Sequence, residues 1–172
     1  PVCERESYAQ GLAGGQVGEF RFDTRTPGRV LAYGSGTIYR SEDDGETWRV
    51  VDVDFSVSRF AFPGSDDSLV LAATGDGLYA SEDGGLSWER RSLAGLSMRA
   101  LLAHPGNPLR LYATSRRGGW HRSTDQGFTW TSIRQGLPYA DGYDLAALGE
   151  DPNHLATTFQ GLNASNGTAW AN

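Results

Sequence analysis

An eight-residue pattern, Ser-x-Asp-x-Gly-x-Ser/Thr-Trp, occurs three times in this chain, at residues 41–48, 81–88 and 123–130. The starting positions are separated by 40 and 42 residues, and a degenerate fourth copy keeps Trp170 in phase although its turn is altered. Self-similarity at a fixed period of this length is typical of repeat architectures. This repeat, called the box below, constrains the fold more than any other feature.

Each repeat has the same internal order, with three short apolar runs before the box and one after it. The repeats extend over about 17–56, 57–97, 98–142 and 143–170. Short apolar runs bounded by Gly, Pro, Asn and Asp predict β-strands, and we find no window with the apolar spacing of a long helix. Four antiparallel strands per repeat, in series, predict an all-β fold: a β-propeller domain over 1–172 with about four blades.

Residues 1–12 precede the first complete repeat, and Gln10-Gly11-Leu12 matches Gln135-Gly136-Leu137 after the third box. The match predicts that residues 1–12 form the closing strand that the fourth repeat lacks. Two arrangements are consistent with this phase: a small ring closed by both ends of the chain, or part of a larger ring. An oligomer or additional blades outside this sequence are therefore among the expected arrangements.

The composition excludes several classes of function. A net charge of −6 and a pI near 5.0 argue against a nucleic-acid partner, which requires a surplus of cations on one face. No apolar run reaches the roughly 18 residues of a membrane-spanning helix. Cys3 is the only cysteine, so no disulfide can form within this sequence. The histidines at 104, 121 and 154 are scattered, and we expect neither a metal site nor a cofactor.

The residue types of the box predict a compact turn. Its Asp can accept hydrogen bonds from turn N–H groups and from the Ser and Thr hydroxyls, its Gly permits a positive φ, and its Trp can cover the turn. A calcium loop would need further converging oxygens and a distal Glu. We therefore predict structural roles for Ser41, Asp43, Gly45, Trp48, Ser81, Asp83, Gly85, Trp88, Ser123, Asp125, Gly127 and Trp130.

These boxes resemble the Asp-box, or bacterial neuraminidase repeat, and the copies cover nearly the whole chain. The motif is specific to a fold: it is shared by sialidases, xyloglucan-active glycosidases, sortilin-type receptors and photosystem II assembly factors. The resemblance implies that the box turns lie away from the functional face. That face would carry the loops that join second to third strands and one blade to the next. It also implies an extracytoplasmic location, either secreted or periplasmic.

Arg116 and Arg117 are the most unusual residues in those loops. They are adjacent cations, followed by two glycines, in an acidic chain. Guanidinium groups on such a loop can bind carboxylate or phosphate, although a solvated loop is the simpler interpretation. Tyr139 and Tyr143, in the longest loop between blades, could stack on a sugar or a peptide, and packing in the propeller channel is equally expected.

Catalytic residues are harder to identify. A sialidase would carry a Phe/Tyr-Arg-Ile-Pro stretch near its start, and Phe20-Arg21-Phe22-Asp23 is only a distant match. Two carboxylates could still serve a glycosidase, and Asp76 and Asp141 are the pair to test. The leading hypothesis is a binding or scaffold module that presents face loops to a protein or glycan. The alternative is a sialidase-like or glucanase-like glycoside hydrolase, or a segment of one.

Overall fold

The computed structural model describes residues 8–10, 17–64, 66–104, 106–107, 109–133, 144–147, 155–158, 162–165 and 170–171. Every regular element in these ranges is a β-strand. In chain order the strands are β1 Tyr8–Gln10, β2 Val17–Phe22, β3 Val30–Gly34, β4 Thr37–Ser41, β5 Thr47–Asp52, β6 Val57–Ala61, β7 Val70–Thr74, β8 Gly77–Ser81, β9 Glu89–Ser92, β10 Met98–Ala103, β11 Leu111–Ser115, β12 Gly119–Ser123, β13 Thr131–Ser132, β14 Asp144–Ala147, β15 Leu155–Thr158, β16 Leu162–Ser165 and β17 Trp170–Ala171.

The strands form four antiparallel sheets, one for each repeat. The second, third and fourth sheets have the orders β6-β7-β8-β9, β10-β11-β12-β13 and β14-β15-β16-β17. The first sheet has the order β1-β5-β4-β3-β2 and therefore five strands. Within each sheet, the strands from β2 onward that follow one another in the chain are neighbours, as the short Gly-rich and Asp-rich segments between the apolar runs predict. The all-β prediction with four-stranded units is confirmed.

The first strand differs from the expectation. Residues 1–12 were predicted to complete the fourth sheet, whereas Tyr8–Gln10 pairs with β5 at the outer edge of the first sheet, with Gln10 opposite Thr47. The fourth sheet has β17 as its own fourth strand, paired with β16. A physical reason is that any outer edge strand presents unpaired N–H and C=O groups, so a short extended segment can add to several edges. The similarity of two tripeptides does not specify which one.

The sheets pack face to face, and the core lies between them. Leu31, Ile38 and Val51 of the first sheet pack against Phe60 and Val70 of the second. The next junction joins Leu71, Ala73 and Leu78 to Met98, Leu101 and Leu111, and the third joins Tyr112 and Trp120 to Leu145. All five residues of β7 are buried, because neighbouring residues of a strand point to opposite faces and both faces of the second sheet are covered.

The innermost strands of successive sheets contact one another in chain order. β2 contacts β6, β6 contacts β10, and β10 contacts β14. Among the described strands, no contact of similar extent joins β14 back to β2. None of the described residues belongs to a helix that could cross a membrane.

Candidate functional site

The sheets have two distinct rims. At one end, called the box rim, each box turn donates a backbone N–H to the turn that joins the first two strands of its sheet, through the pairs Asp44 to Gly28, Gly84 to Ser68 and Gln126 to Leu109. The opposite end, called the loop rim, carries the turns between second and third strands and the connections between sheets. Antiparallel order requires this separation, since alternate turns lie at opposite ends of a sheet.

The box at 81–88 shows how the turn is held. The Ser81 hydroxyl donates to Asp83 Oδ1 at 2.7 Å and accepts the Gly85 N–H at 2.7 Å. The Ser87 N–H donates to Asp83 Oδ1 at 2.9 Å, and its hydroxyl donates to Oδ2 at 2.5 Å. Gly85 has φ of +101°. The corresponding hydroxyl and amide contacts recur at Asp43 and at Asp125.

These hydrogen bonds keep the box carboxylates ionised. The Thr47 hydroxyl, then its backbone N–H, lower the pKa of Asp43 to about 2. Burial alone would raise the pKa of Asp83, but the donors from Ser87 and Ser81 outweigh it and hold that pKa at about 2. The pKa of Asp125 is lowered by the same balance of burial and donors. Carboxyl groups with such pKa values are poor proton donors near neutral pH.

Two of the box tryptophans, Trp88 and Trp130, join their turns to the preceding sheet. Trp48 is 3% exposed. The Trp130 Nε1–H donates to the Gly127 carbonyl of its own box and to the Ser92 hydroxyl of the second sheet, both at 3.0 Å. The Trp88 Nε1–H likewise donates to the Gly85 carbonyl at 3.2 Å. The boxes therefore stabilise the contacts between sheets as well as their own turns.

On the loop rim, Arg116 and Arg117 occupy the turn between β11 and β12, and both are exposed. The Arg116 N–H donates to the Ser97 carbonyl at 2.8 Å, which ties this turn to the connection that precedes the third sheet. Arg117 has φ of +63°, a conformation that few non-glycine residues adopt. Gly118 lies close to the Ser115 side chain, and a Cβ added to this glycine would be 2.2 Å from Ser115 Oγ. The turn thus holds two neighbouring cations in a defined backbone conformation.

Asp76 lies on the same rim, in the turn between β7 and β8. Its Oδ1 accepts the Gly95 N–H at 3.1 Å, and its Oδ2 lies 3.0 Å from Arg90 Nη2. Arg90 also lies over the Tyr79 ring, and its hydrogen bond with Tyr79, followed by the Asp76 charge, raises the pKa of Arg90. Both carboxylate oxygens of Asp76 therefore have partners within the protein.

The other residues predicted for the site fall outside the described residues. These are Tyr139, Tyr143 and Asp141. The structure thus places Arg116, Arg117 and Asp76 on one rim of neighbouring sheets. Within the described part of the chain, no group of three or more His, Cys, Asp or Glu side chains is arranged to hold a metal ion.

A groove that the sequence did not indicate lies between the first and second sheets. It has a volume of about 390 Å³ and is lined by the segment from Val51 to Phe55 and by Leu86, Ser87 and Trp88. The Phe55 ring packs 4.1 Å from Tyr79 and 6.3 Å from Trp88. Asp52 and Asp54 on its wall are exposed. The sequence signal that could have indicated this groove is the alternation of acidic and apolar residues at the end of a strand, in Asp52, Val53, Asp54 and Phe55.

Comparison with known proteins supports the fold. No protein family model and no curated protein sequence matches the chain. An ancestral GH74 enzyme superposes with a TM-score of 0.78 and 18% identity over 96% of this chain and 25% of that chain. The GH74 enzyme of Niastella koreensis superposes with a TM-score of 0.75 and 20% identity over 91% of this chain and 30% of that chain.

YCF48 from Cyanidioschyzon merolae superposes with a TM-score of 0.63 and 16% identity over 95% of this chain and 58% of that chain. YCF48 has also been solved bound to D1 peptide. The chain spans less than a third of the length of the two GH74 structures. At these identities the likeness concerns the fold alone. The four face-packed antiparallel sheets and these structures show that the chain has a β-propeller fold.

Proposed function

We propose that this chain is a binding or scaffold module that presents its loop rim to a protein or glycan partner. The observation that carries this proposal is the turn at Arg116 and Arg117, where two exposed cations share a hairpin with a constrained backbone. Asp76, the catalytic candidate predicted from the sequence that lies among the described residues, is engaged by Arg90 and the Gly95 N–H. The rim therefore offers charged recognition groups more readily than a free catalytic carboxyl group.

The chemistry of this turn favours an anionic segment as partner. A guanidinium presents several N–H donors in a plane and binds a carboxylate through two parallel hydrogen bonds. Arg116 is preorganised through its backbone bond to Ser97, which reduces the entropy lost when a partner binds. The fold likeness to YCF48, which binds a peptide, supports a protein segment at this coarse level. An acidic peptide is thus the first probe to use.

The experiment compares Arg116→Ala, Arg117→Ala and the double variant with Arg49→Ala, which removes a half-buried arginine from β5 of the first sheet. Immobilised protein is titrated with a panel of acidic peptides, sialosides and β-glucans. We expect the rim variants to weaken capture of a bound probe about tenfold or more, with an unchanged melting temperature. An equal loss of capture in Arg49→Ala, or full capture by the double variant, would exclude Arg116 and Arg117 from the binding site.

A carbohydrate-active hydrolase is the second candidate. The observation in its favour is the groove that joins the Phe55 and Trp88 rings to the carboxylates of Asp52 and Asp54, because sugars bind aromatic faces and hydrolysis uses carboxyl pairs. The fold likeness to GH74 enzymes agrees with this class. Turnover of a sialoside or β-glucan that is lost in Asp76→Asn, Asp141→Asn, Asp52→Asn or Asp54→Asn would favour the hydrolase over the binding module.

A further inference from the structure

A pocket with a volume of about 380 Å³ lies between the second and third sheets, beside their box turns. Pockets that bind small molecules typically have volumes of about 300 to 1,000 Å³. We call it the Ala80 pocket. Its walls include Ala80, Glu82, Glu89, Arg90, Arg91 and Phe128.

The strand register explains why this space is open. Arg40 of β4, Ala80 of β8 and Arg122 of β12 occupy equivalent positions, each directly before the first residue of its box. Arginine thus stands at this position in the first and third sheets, and alanine stands there in the second. The second sheet therefore lacks, at this position, the long cationic side chain that the other two sheets carry.

The junction of the first two sheets shows where that side chain lies. The Arg40 Nε–H donates to the Gly84 carbonyl of the second box at 2.8 Å, and Arg40 Nη2 lies 2.6 Å from Glu42 Oε1 of the first box. Only 7% of the Arg40 side chain is exposed, so its guanidinium is enclosed between the two sheets. The corresponding space at the next junction is the Ala80 pocket.

Arg91 of β9 makes part of the connection at this second junction. Its Nη1 donates to the Gln126 carbonyl of the third box at 3.3 Å, and its Nη2 lies 2.5 Å from Glu82 Oε1. These acceptors are equivalent to those of Arg40 at the first junction. Arg91 reaches them from the outer strand, however, and the volume beside Ala80 stays open with Arg91 in place. The second junction therefore keeps space for a further side chain.

The charges beside this position also differ between the two sheets. Arg40 pairs with Arg49 in the neighbouring strand. Ala80 pairs instead with Glu89, which is exposed, and within the described part of the chain no hydrogen bond or ion pair holds the Glu89 carboxylate. The Glu82 side chain is 76% exposed, although one of its oxygens is already paired. The pocket therefore offers carboxylate oxygens where the first sheet has a second arginine.

Arg90, the other cation in the lining, is directed to the opposite face of the second sheet. It pairs with Tyr79, and its guanidinium lies over the Tyr79 ring and 3.0 Å from Asp76. Successive residues of a strand alternate between the two faces of a sheet, so Arg90 and Glu89 lie on opposite faces. On the pocket side, two carboxylates are therefore balanced by only one guanidinium, that of Arg91.

Phe128 provides an aromatic wall for the pocket. The guanidinium carbon of Arg91 lies 4.3 Å from the centroid of the Phe128 ring, which is a cation–π contact. Phe128 is nevertheless 58% exposed, so much of its surface is available to a ligand. Aromatic rings stack on the planar guanidinium of arginine, whereas the ammonium of lysine has no flat face to stack.

We propose that the Ala80 pocket binds the guanidinium group of an arginine side chain from a partner peptide. The chain itself indicates this occupant, because Arg40 fills the equivalent space at the first junction. Glu82 and Glu89 supply carboxylates, which accept paired N–H donors from a guanidinium, and Phe128 supplies the surface for stacking. The pocket lies beside the box turns and takes a cation, so it is a second site, distinct from the loop rim and its anionic partner.

The test is an NMR titration of the full chain with the peptide acetyl-glycyl-arginyl-glycinamide. The control peptide carries citrulline, which replaces the guanidinium by a neutral urea of nearly the same shape. We expect saturable shifts of the Ser87, Glu89 and Phe128 amides with the arginine peptide. The dissociation constant of the citrulline peptide should be about tenfold higher or more, because hydrogen bonds from a charged donor are lost.

Four variants locate the site. Ala80→Arg should abolish binding, because its new side chain occupies the pocket as Arg40 occupies the equivalent space. Glu89→Gln should raise the dissociation constant about threefold, as expected for an exposed ion pair. Glu46→Gln, which removes the same charge from an exposed position in the first box, is the matched control and should bind like the native protein. Arg116→Ala should also leave this affinity unchanged, which separates the pocket from the loop rim.

Several outcomes would overturn the proposal. An absence of saturable shifts, or equal affinity for the arginine and citrulline peptides, would show that the chain does not recognise a guanidinium group. Equal affinity for a lysine peptide would contradict the assignment to arginine. Unchanged binding in Ala80→Arg and Glu89→Gln, or an equal loss in Glu46→Gln, would place the peptide elsewhere. Because Glu89 is exposed, its variant keeps the test decisive if Ala80→Arg folds poorly.

Discussion

Glu19 of the first sheet and Arg59 of the second form an ion pair across the sheet junction, with 3.3 Å between Arg59 Nη1 and Glu19 Oε2. The other carboxylate oxygen, Oε1, accepts the Phe60 backbone N–H at 3.2 Å. Only 6% of the Glu19 side chain is exposed, against 30% of the Arg59 side chain. This carboxylate therefore connects the two innermost strands through both a charge and a backbone hydrogen bond.

Replacing Glu19 by Gln should destabilise the protein by about 1.5 kcal/mol, the lower end of what a hydrogen bond to a charged group contributes, because the amide oxygen can still accept the Phe60 N–H. Arg59→Gln should cost at least as much, because it leaves the buried Glu19 carboxylate without the Arg59 guanidinium. Urea unfolding of both variants and of the double variant gives the coupling energy. Glu89→Gln, on an exposed strand residue, is the control. Equal stability of Glu19→Gln and Glu89→Gln would contradict the role of Glu19 in connecting the first two sheets.

The box aspartates predict acid sensitivity with a defined direction. The folded-state pKa values of Asp43 and Asp83 are about 2, below the unfolded value of about 3.9. A lowered folded-state pKa stabilises the protein above the unfolded pKa, and this contribution is lost as the pH falls through the folded pKa. The melting temperature should therefore fall between about pH 4 and pH 2.

Asp83→Asn should melt at a lower temperature than the native protein at neutral pH. Its melting temperature should fall less on acidification, because one of the titrating carboxylates is gone. Thermal melts at intervals from pH 7 to pH 2 measure both effects. Asp67→Asn, which changes an exposed aspartate of the turn between β6 and β7, is the control. Identical pH profiles for the native protein and Asp83→Asn would show that Asp83 contributes nothing through its charge.

The parts of the structure that were predictable from the sequence are those determined by local chemistry. The box turn follows from residues within eight positions of one another, such as Ser81, Asp83 and Ser87. The strands follow from apolar runs between turn residues. The first strand could not be placed, because hydrogen bonding along a sheet edge is independent of sequence and several edges are equivalent.

The candidate site was predictable only in part, because some of its contacts depend on strand pairing and on the packing of one sheet on the next. The rim that carries Arg116 and Asp76 follows from strand order alone. The partners of Asp76 do not, because Arg90 reaches it only through the pairing of Tyr79 with Arg90 in neighbouring strands. The groove at Asp52 and Asp54 requires the packing of one sheet on the next. Interactions between sheets depend on three-dimensional geometry that a repeat pattern does not encode.

Gly28 and Gly36 provide a matched pair of glycines in the first sheet. Their φ values are nearly equal, at +84° and +82°. An added Cβ at Gly28 would lie 2.3 Å from the Glu42 carbonyl oxygen, whereas at Gly36 nothing lies within 4 Å. Gly36→Ala should therefore cost only the left-handed backbone penalty of about 1 to 2 kcal/mol.

Gly28→Ala carries the same backbone penalty and in addition must displace the box backbone, at about 1 to 3 kcal/mol of overpacking. Chemical denaturation of the two variants measures the difference. The larger loss of stability in Gly28→Ala should be accompanied by a change in Trp48 fluorescence, because Trp48 belongs to the box that is displaced. If the two variants were equally stable, the box turn would have to move aside without cost, contrary to its dense hydrogen bonding.

Arg40 and Arg91 connect consecutive boxes in the same way. Arg40 Nε donates to the Gly84 carbonyl of the second box at 2.8 Å, and its Nη2 lies 2.6 Å from Glu42 Oε1 of the first. Arg91 Nη1 donates to the Gln126 carbonyl of the third box at 3.3 Å, and its Nη2 lies 2.5 Å from Glu82 Oε1 of the second. Each side chain is only 7% exposed.

Lysine cannot replace either arginine without loss, because a single ammonium group lacks the planar set of donors that reaches both acceptors. Arg40→Lys should therefore destabilise the protein by about 1 to 2 kcal/mol and increase hydrogen exchange of the Gly84 and Gly85 amides, at the junction of the first two sheets. Arg91→Lys should act at the second junction instead, and it also removes the contact of Arg91 with the Phe128 ring at 4.3 Å. Faster exchange spread evenly over both junctions in either variant would indicate global destabilisation, and the two arginines would then not act as local connections between boxes.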